Sequence, residues 1–431
     1  MSSVLLTDQH ITMEALAILE NSLSFTKTVN RQYEKEFKNA YRGATVYARK
    51  PPRYTVRDGQ AVAIQDTVQT QVPVTLQHQF GVDVQFYSAD LELSIEAFSQ
   101  KVLEPQIVQI ANAVDFAGLS LALQVPNVVG TAGTTPGTGA TAQAALAVYG
   151  SAKAMLDKTA TPRDGRRNCL INEDAESVTV PNLAGLLNPT TSISKQYTDG
   201  TMGKALGLNF SMSQNVNVFT AGAQAGTPQV ATAPTPATQP FGTTLTPASG
   251  QFTPNPASSA QTFSVSTKGW TASTQIFNGG EVVYFANCYM VNPLSKQNAG
   301  KLKGFVVSGP ITSDGSGNAT LTLTEPMITA GAYQNVTAVP TVNAAITFGI
   351  TAGTASPQNL AYHRDAFTLA CVDLPVPGGV HMAARKSDDQ LGLSLRFVAQ
   401  YDIRTDLFIG RFDLLCGWAA LRPEWAVRIL G

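Results

Sequence analysis

The hydrophobic positions between residues 44 and 86 follow the period of two that is typical of half-buried strands. In the first half, residues 44–57 have an extended pattern, and Pro51 and Pro52 confine this segment to a sheet edge. Asp58-Gly59 then supplies residues typical of a turn. We therefore predict a long two-stranded arm over 44–86. Its second strand has these residues at even positions, all apolar except one histidine: Val72, Val74, Leu76, His78, Phe80, Val82, Val84 and Phe86.

Other stretches carry the 3.6-residue period of amphipathic helices. We predict helices over 8–25, 91–123 and 142–158, the second being the longest. Pro105 lies inside this second pattern and predicts a start, a kink or a break at that point. Residues 169–172 predict a short buried strand that ends in a helix cap.

The middle of the chain changes character abruptly. From residue 205 to residue 267 there is no Lys, Arg, Asp or Glu over 63 residues, and Thr, Ala and Pro dominate. Short strand patterns follow, and we predict an inserted all-β domain over 220–356, with 313–318 as a hairpin turn. After it, alternation at 391–397 and a partner strand at 407–415 predict a C-terminal sheet.

Composition and charge narrow the function classes. The 431 residues include 29 Lys+Arg and 30 Asp+Glu, a net charge of −1, and only 14% are charged, where about 25% is typical. This balance argues against a basic surface that binds nucleic acid. We expect a soluble cytosolic protein, because neither a signal peptide nor an apolar run of membrane length is present. The cysteines contain no CxxC pair and indicate a reducing compartment rather than a disulfide scaffold or a zinc site; they are Cys169, Cys288, Cys371 and Cys416.

No catalytic, metal or cofactor site is predicted, because every template lacks parts. Residues 363–365 spell the His-Arg-Asp of a kinase catalytic loop, but the other kinase motifs are absent. The Gly-Lys pairs at 203–204 and 300–301 do not complete a phosphate-binding loop. Residues 314–318 faintly resemble a calcium loop without its terminal Glu, and a turn is the better interpretation. We therefore do not expect an enzyme.

A basic cluster on the predicted arm is the candidate site. On an exposed arm it could contact nucleic acid or an acidic patch on a neighbouring copy of the chain. The neutral chain would bind nucleic acid weakly, and depletion of charge is typical of interface cores, so we favour the neighbouring copy. The predicted inter-subunit contact residues are Arg49, Lys50, Arg53, Tyr54 and Arg57, with Tyr47 also interleaved.

Three stretches and the order of elements resemble the major capsid proteins of tailed bacteriophages. The stretches are 197–216 around Asp199-Gly200-Thr201, 280–323, and 413–429 with its Arg422-Pro423-Glu424. Among these proteins, the chain is most similar to podovirus coat proteins that carry an inserted β-barrel domain.

The resemblance implies an α+β fold, the major capsid protein fold of tailed phages and herpesviruses, with an inserted all-β domain. It implies the following divisions: an N-terminal arm and helix at 1–43; an extended loop at 44–86; a peripheral domain with a spine helix at 87–141; an axial domain at 142–219 and 357–390; the insertion at 220–356; and peripheral strands at 391–431.

The same resemblance implies a shell subunit that assembles with copies of itself into pentamers and hexamers of an icosahedral head. The expected partners are a scaffolding protein, a portal and a possible decoration protein, with packaged DNA contacted weakly at most and no membrane. The expected location is the virion, after assembly in the host cytoplasm. The alternative is a virion-associated or surface protein that uses the β insertion as a receptor or carbohydrate module.

Overall fold

The computed structural model describes most of the chain, in several ranges separated by short gaps. The described residues are 12–13, 15, 19, 23–33, 45–62, 65, 70–87, 104–139, 141–183, 203–237, 240, 245–248, 251–254, 263–388, 393–405 and 407–431. Of the predicted N-terminal helix, Thr12, Met13, Ala15 and Leu19 are described and are helical. Predictions for 91–103 and 197–202 lie outside the described residues.

The described helices match the predicted ones where the two overlap. Three are α-helices: α1 Glu104–Leu119, α2 Ala142–Lys158 and α3 Glu173–Leu183. Helix α2 begins at the predicted residue because the Thr141 side chain accepts the backbone N–H of Ala144 and caps it. Four 3-10 helices are Thr26–Thr28, Ser120–Gln124, Arg364–Ala366 and Pro423–Trp425.

The described strands are numbered in chain order. They are β1 Thr45–Arg49, β2 Gln71–Thr75, β3 His78–Tyr87, β4 Val128–Gly130, β5 Arg167–Ile171, β6 Lys204–Ala205, β7 Leu208–Met212, β8 Val218–Thr220, β9 Gly226–Val230, β10 Leu245–Ala248, β11 Gln251–Pro254, β12 Phe263–Trp270, β13 Gln275–Asn278, β14 Val282–Val291, β15 Asn298–Val306, β16 Pro310–Thr312, β17 Ala319–Leu323, β18 Ile346–Phe348, β19 Ala355–His363, β20 Phe367–Val372, β21 Met382–Asp388, β22 Leu393–Asp402, β23 Leu407–Ala420 and β24 Ala426–Leu430.

The chain folds into two compact units, each built from separate segments. Unit 1 takes the chain up to Tyr47, then Pro73–Ser120 and Phe367–Ala420. Unit 2 takes Ala48–Val72, Leu121–Ala366 and Leu421–Gly431.

Unit 1 is built on a five-stranded antiparallel sheet. Strand β23 pairs with β20 and β22, β22 pairs with β21, and β3 pairs with β23 along its whole length. Helix α1 packs closely on this sheet because Gly118 has no side chain: a Cβ there would lie 2.7 Å from the Trp418 ring. The buried Asp115 carboxylate of α1 accepts the backbone N–H groups of Ser24, Phe25 and Thr26 at 2.7, 3.1 and 3.1 Å.

The two-stranded arm predicted over 44–86 is confirmed in part. Strands β1 and β2 pair only at the base of the arm, and the described residues between them, 50–62, 65 and 70, form no strand. The second predicted strand is divided, and its later part is β3 of the unit 1 sheet. Residues 78–84 alternate between half-buried and exposed positions. An isolated hairpin would leave that apolar face in water, whereas pairing within a sheet covers it.

Unit 2 has a larger sheet in the order β4-β24-β19-β5-β7-β6, with β8 also paired to β19. Helix α2 buries Tyr149, Ala152 and Leu156 in the same hydrophobic cluster as Cys169 and Ile171 of β5. All five residues of β5 are buried, which confirms the short buried strand predicted there. The Asn172 side chain then accepts the backbone N–H of Ala175 and caps α3.

The described part of 220–356 forms strands and turns without a helix. Its hydrophobic cluster includes Trp270, Phe277, Phe285 and Phe305, while the limits of an inserted domain stay a prediction. The strands predicted on either side of the 313–318 turn, 305–307 and 319–323, do meet: Val307 and Leu323 form an antiparallel bridge, and the Thr324 N–H donates to the Val306 carbonyl at 3.0 Å. Strand β16 lies between them in the chain and pairs with β13. The turn itself is present, since the Asp314 carboxylate accepts the backbone N–H groups of Ser316 and Asn318.

The predicted peripheral and axial limits stay a prediction, and three of the segments they concern lie as follows in the two compact units. Residues 367–388, predicted as axial, supply β20 and β21 to the sheet of unit 1. Residues 421–431, predicted as peripheral, supply β24 to the sheet of unit 2, between β4 and β19. Residues 121–141 also belong to unit 2. The partners of β20 and β24 are not adjacent in sequence, so local patterns did not reveal these pairings.

One described segment, Pro105–Gln124, is long and apolar enough to span a membrane by length and composition alone. Fifty-six per cent of its apolar window is buried within the protein, as in the core helix of a folded domain.

Candidate inter-subunit contact site

The structure separates the predicted contact residues into two groups. Lys50 and Arg53 are half-buried near the base of the arm, whereas Arg49, Tyr54 and Arg57 are exposed. We call residues 50–53 the arm base and residues 54–65 the arm tip, and both lie within unit 2.

The arm base is fixed by hydrogen bonds and an ion pair. The backbone N–H of Lys50 donates to the Thr70 carbonyl at 2.8 Å, which continues the pairing of β1 with β2. The Arg53 guanidinium lies 3.6 Å from a carboxylate oxygen of Glu424 and 5.9 Å from the centre of the Tyr333 ring. The backbone N–H of Arg53 donates to the Tyr333 hydroxyl at 3.4 Å. The arm base is therefore tied to two segments that are remote in sequence.

Glu424 is the anionic centre of this arrangement. Burial alone would raise its pKa, but the positive charges of Lys50, Arg53 and Lys303 hold the pKa of Glu424 below its usual value. Lys303 is itself buried and lies 2.8 Å from a carboxylate oxygen of Glu325. Burial and the nearby Arg53 charge lower the pKa of Lys296. Three cations therefore act on the Glu424 carboxylate, and one of them, Lys303, is shared with Glu325.

The arm tip is shaped by bonds among its own residues. The Thr55 backbone N–H and hydroxyl both donate to the Gln65 amide oxygen, at 2.8 and 2.9 Å, and the Gln65 amide nitrogen donates to the Thr55 carbonyl at 2.6 Å. The Arg57 guanidinium donates to the Ala61 carbonyl at 2.6 Å and to the Gly59 carbonyl. The described part of the tip thus has a defined local shape.

Apolar side chains of the arm tip face solvent. Val56 is 98% exposed, Val62 is 79% exposed and Tyr54 is 53% exposed. Exposed apolar groups clustered on a short segment mark a surface that contacts another molecule. Sequence analysis singled out Tyr54 but missed both valines, because a lone valine in an irregular stretch carries no periodic signal.

Sequence analysis also missed the residues that hold the arm base. Each of these residues lies 250 or more positions from the arm base in the chain, and no local pattern connects them to it. They are Glu424, Tyr333 and Lys303. The Arg422-Pro423-Glu424 motif drew attention through the resemblance alone.

The histidine of the kinase-like triplet has a structural contact. His363 is 1% exposed, and its Nε2 lies 3.0 Å from a carboxylate oxygen of Asp164. Its Nδ1 accepts the backbone N–H of Asp365 at 3.2 Å, so the proton is on Nε2 and the imidazole donates to Asp164. Burial alone would raise the pKa of Asp164. Hydrogen bonds from the Arg166 backbone and from His363 nevertheless hold that pKa below its usual value. Among the described residues, no group of three or more His, Cys, Asp or Glu side chains could hold a metal ion.

A family model matches nearly the whole chain. The family model described as "P22 coat protein - gene protein 5" matches residues 10–431. No curated protein matches the chain.

Several solved structures are similar to the chain at low sequence identity. A structure from Mycobacterium phage Che8 shares 13% identity over 94% of this chain and 90% of that one, with a TM-score of 0.46. The capsid structure of cyanophage P-SCSP1u shares 10% identity over 90% and 83% of the two chains, with a TM-score of 0.42. The mature capsid of bacteriophage PhiM1 shares 9% identity over 90% and 82%, with a TM-score of 0.39.

Proposed function

The chain belongs to the P22 coat protein family and is a major capsid protein of a phage head, and on this premise we propose that its arm tip binds a neighbouring subunit in the shell. The exposure of Val56, Val62 and Tyr54 on a tip with defined local shape is the observation that supports this proposal most directly. In the proposed shell, the copies form pentamers and hexamers of an icosahedral head around the packaged DNA.

The division between arm base and arm tip suits a contact between subunits. The base is bonded to Glu424 and Tyr333 of its own chain, so the tip is presented from a fixed point. Binding a preformed segment costs less conformational entropy than ordering a free one. Burial of the two valines against a neighbouring subunit would then contribute favourable hydrophobic free energy to binding.

The charges around the arm suggest the surface that receives it. Arg49 and Arg57 are exposed, and Lys50 and Arg53 between them in the chain are half-buried. We propose that the receiving surface of the neighbouring subunit is apolar at its centre and acidic at its rim, as complementary interfaces are.

Further partners follow from the family resemblance and belong to the same proposal. They are a scaffolding protein, a portal and possible decoration proteins, with assembly in the host cytoplasm. Contact with the enclosed DNA is weak, which is supported by the net charge of −1. The alternative, a receptor or carbohydrate module, is not favoured, because the family match includes 220–356 within its span.

The first experiment replaces Val56 and Val62 by Asp in the full chain, expressed together with the other head proteins of the phage. We expect subunits that fold normally but form shells at a yield reduced at least about tenfold, because every 1.4 kcal/mol or so lost from a contact is a factor of ten. Shell yield is measured by sedimentation and electron microscopy, and folding by circular dichroism and urea unfolding.

The matched control is Val342→Asp, since Val342 is also exposed, at 51%, and lies outside the arm. It should leave shell yield unchanged. Normal shells from the Val56 and Val62 double variant would refute the arm contact, and a loss of folding in that variant would be seen in the unfolding curve. In that case Val56→Ser and Val62→Ser, which remove less apolar area without adding charge, give the test.

A further inference from the structure

Two of the four cysteines lie directly opposite each other in the sheet of unit 1. Cys371 of β20 and Cys416 of β23 are register partners in an antiparallel pair. Both are buried, and neither forms a disulfide in this structure. Residues that face each other in this way project to the same side of the sheet. Their closeness is also visible electrostatically, since burial and the neighbouring Cys371 raise the pKa of the Cys416 thiol.

The hydrogen bonds of β23 show which kind of antiparallel pair this is. Cys416 is paired on its two edges, with β3 on one side and β20 on the other. Its carbonyl accepts the backbone N–H of Gln77 at 3.2 Å, on the β3 side. Because the N–H and C=O of one strand residue point to the same edge, the backbone polar groups of Cys416 face away from β20.

The hydrogen bonds of β20 give the same answer independently. The Phe367 carbonyl accepts the backbone N–H of Asn30, and the Leu369 N–H donates to the Asn30 carbonyl. The backbone polar groups of Phe367 and Leu369 therefore point away from β23. Cys371 has the same parity along the strand as Phe367 and Leu369, so its backbone polar groups also point away from β23. Cys371 and Cys416 thus form a non-hydrogen-bonded pair.

This geometry suits a disulfide. Non-hydrogen-bonded partners have Cα atoms about 4.5 Å apart, within the range of about 4.4–6.8 Å that a disulfide spans. We propose that Cys371 and Cys416 are a latent cross-strand disulfide site, reduced in the cytosol and oxidised by small-molecule disulfides once the protein reaches an oxidising medium.

The oxidation proceeds by two exchanges with oxidised glutathione as the disulfide. The Cys371 thiol loses its proton to solvent, and its sulfur attacks the glutathione disulfide, which forms a mixed disulfide and releases one reduced glutathione. The Cys416 thiol then loses its proton, and its sulfur attacks the Cys371 sulfur and releases the second glutathione. The protein loses two electrons, which the glutathione disulfide gains.

We assign Cys371 the first step because its sulfur contacts both backbone groups of Ser394. The thiol donates to the Ser394 carbonyl at 3.9 Å, and a second contact stays in place when that proton is lost. The Ser394 backbone N–H donates to the Cys371 sulfur at 3.3 Å, and a hydrogen bond of this kind stabilises negative charge on sulfur. Neither Cys169 nor Cys288 has a second cysteine beside it with which to form a disulfide. Cys169 lies opposite Ala361 and Phe210, and the hydrophobic cluster around Cys288 contains no second cysteine.

The test measures thiols in the full-length protein after incubation with oxidised glutathione. We expect the thiol count under denaturing conditions to fall from four to two. After alkylation of the remaining thiols and digestion without reductant, mass spectrometry should find the peptides of Cys371 and Cys416 joined. The midpoint of urea unfolding should move upward in the oxidised protein and return after treatment with dithiothreitol, since the cross-link restricts the unfolded chain.

Two sets of variants make the assignment specific. The double variant Cys169→Ser with Cys288→Ser should keep its two remaining thiols when reduced and lose both on oxidation. Cys371→Ser alone and Cys416→Ser alone should each keep three thiols and show no shift of the unfolding midpoint. Because buried thiols react slowly, the oxidation is repeated during refolding from urea in the glutathione buffer. Four thiols after both treatments, or a cross-link between any other pair, would overturn the proposal.

Discussion

Single charged residues hold this charge-poor protein together at buried positions. Arg428 is fully buried; its Nε donates to the Val125 carbonyl at 2.9 Å and its Nη1 to the Gly280 carbonyl at 2.8 Å. Burial lowers the pKa of Arg428 to about 10, although Tyr284 and Glu281 oppose the shift. In unit 1, the buried Asp413 lies 2.7 Å from the Arg411 guanidinium. These buried charges therefore have defined contacts within the fold.

Glu424 gives a prediction at this scale. Its pKa is lower in the folded protein than in the unfolded chain, where a Glu titrates near 4.3 or so. The contribution of ionised Glu424 to stability is therefore complete above the pKa of the unfolded chain. It is lost as the pH falls through the lower pKa of the folded protein. We expect Glu424→Gln to reduce the free energy of unfolding by about 1–2 kcal/mol at pH 7.

The difference between wild type and Glu424→Gln should disappear when the pH is low enough to protonate Glu424 in both states. Urea unfolding of both proteins at neutral and acidic pH measures this. The exposed Glu173 provides the control, and Glu173→Gln should change stability by a few tenths of a kcal/mol at most, as surface substitutions do. A difference for Glu424→Gln that does not change with pH would contradict the role of Lys50, Arg53 and Lys303.

Local sequence signals predicted whether a segment is a helix or a strand better than they predicted which strands pair. Helix α2 begins and ends where its period and cap place it, because the Thr141 cap and the apolar face of Tyr149 and Leu156 are encoded within one segment. The alternation at 72–86 predicted strand structure correctly, and the predicted pairing holds for β2 with β1. It did not predict the partner of β3, since β23 lies over 300 positions later in the chain. The candidate site divides in the same way: sequence composition found the cations of the arm, but not the carboxylate at Glu424 that binds one of them.

Helix α1 and the segment before it yield a second prediction. The Asp115 carboxylate accepts three backbone N–H groups and the Thr26 hydroxyl, the last at 2.6 Å. Asp115→Ala would leave these donors without their acceptor, at a cost of about 3 kcal/mol. We therefore expect faster tryptic cleavage after Lys27 and Arg31 and a lower unfolding midpoint. Asp174→Ala, at an exposed position of α3, should alter neither, and equal digestion rates in the two variants would refute the tether.

For the molecule as a whole, a net charge of −1 means that long-range repulsion between copies is small. On the proposed arm contact, we therefore expect contacts between subunits to depend on local charges such as Arg49. We expect Arg49→Glu to slow shell assembly, with the largest effect at low ionic strength, where screening is least. Light scattering during assembly at several salt concentrations measures this. Lys301→Glu, which makes the same charge change at an exposed position outside the arm, should have no comparable effect; equal salt dependence in both variants would contradict the arm contact.

The position of β24 in the sheet of unit 2 has a consequence for the order of events during synthesis. This strand lies between β4 and β19, and Arg428 bonds to the Val125 carbonyl 303 positions earlier in the chain. A ribosome must therefore release residues 426–430 before the sheet can close, and until then β4 and β19 have open edges. Such edges invite pairing with other chains. The nascent protein thus passes through a long interval in which it is vulnerable to aggregation, and chaperones that shield unpaired strands would be needed at that stage.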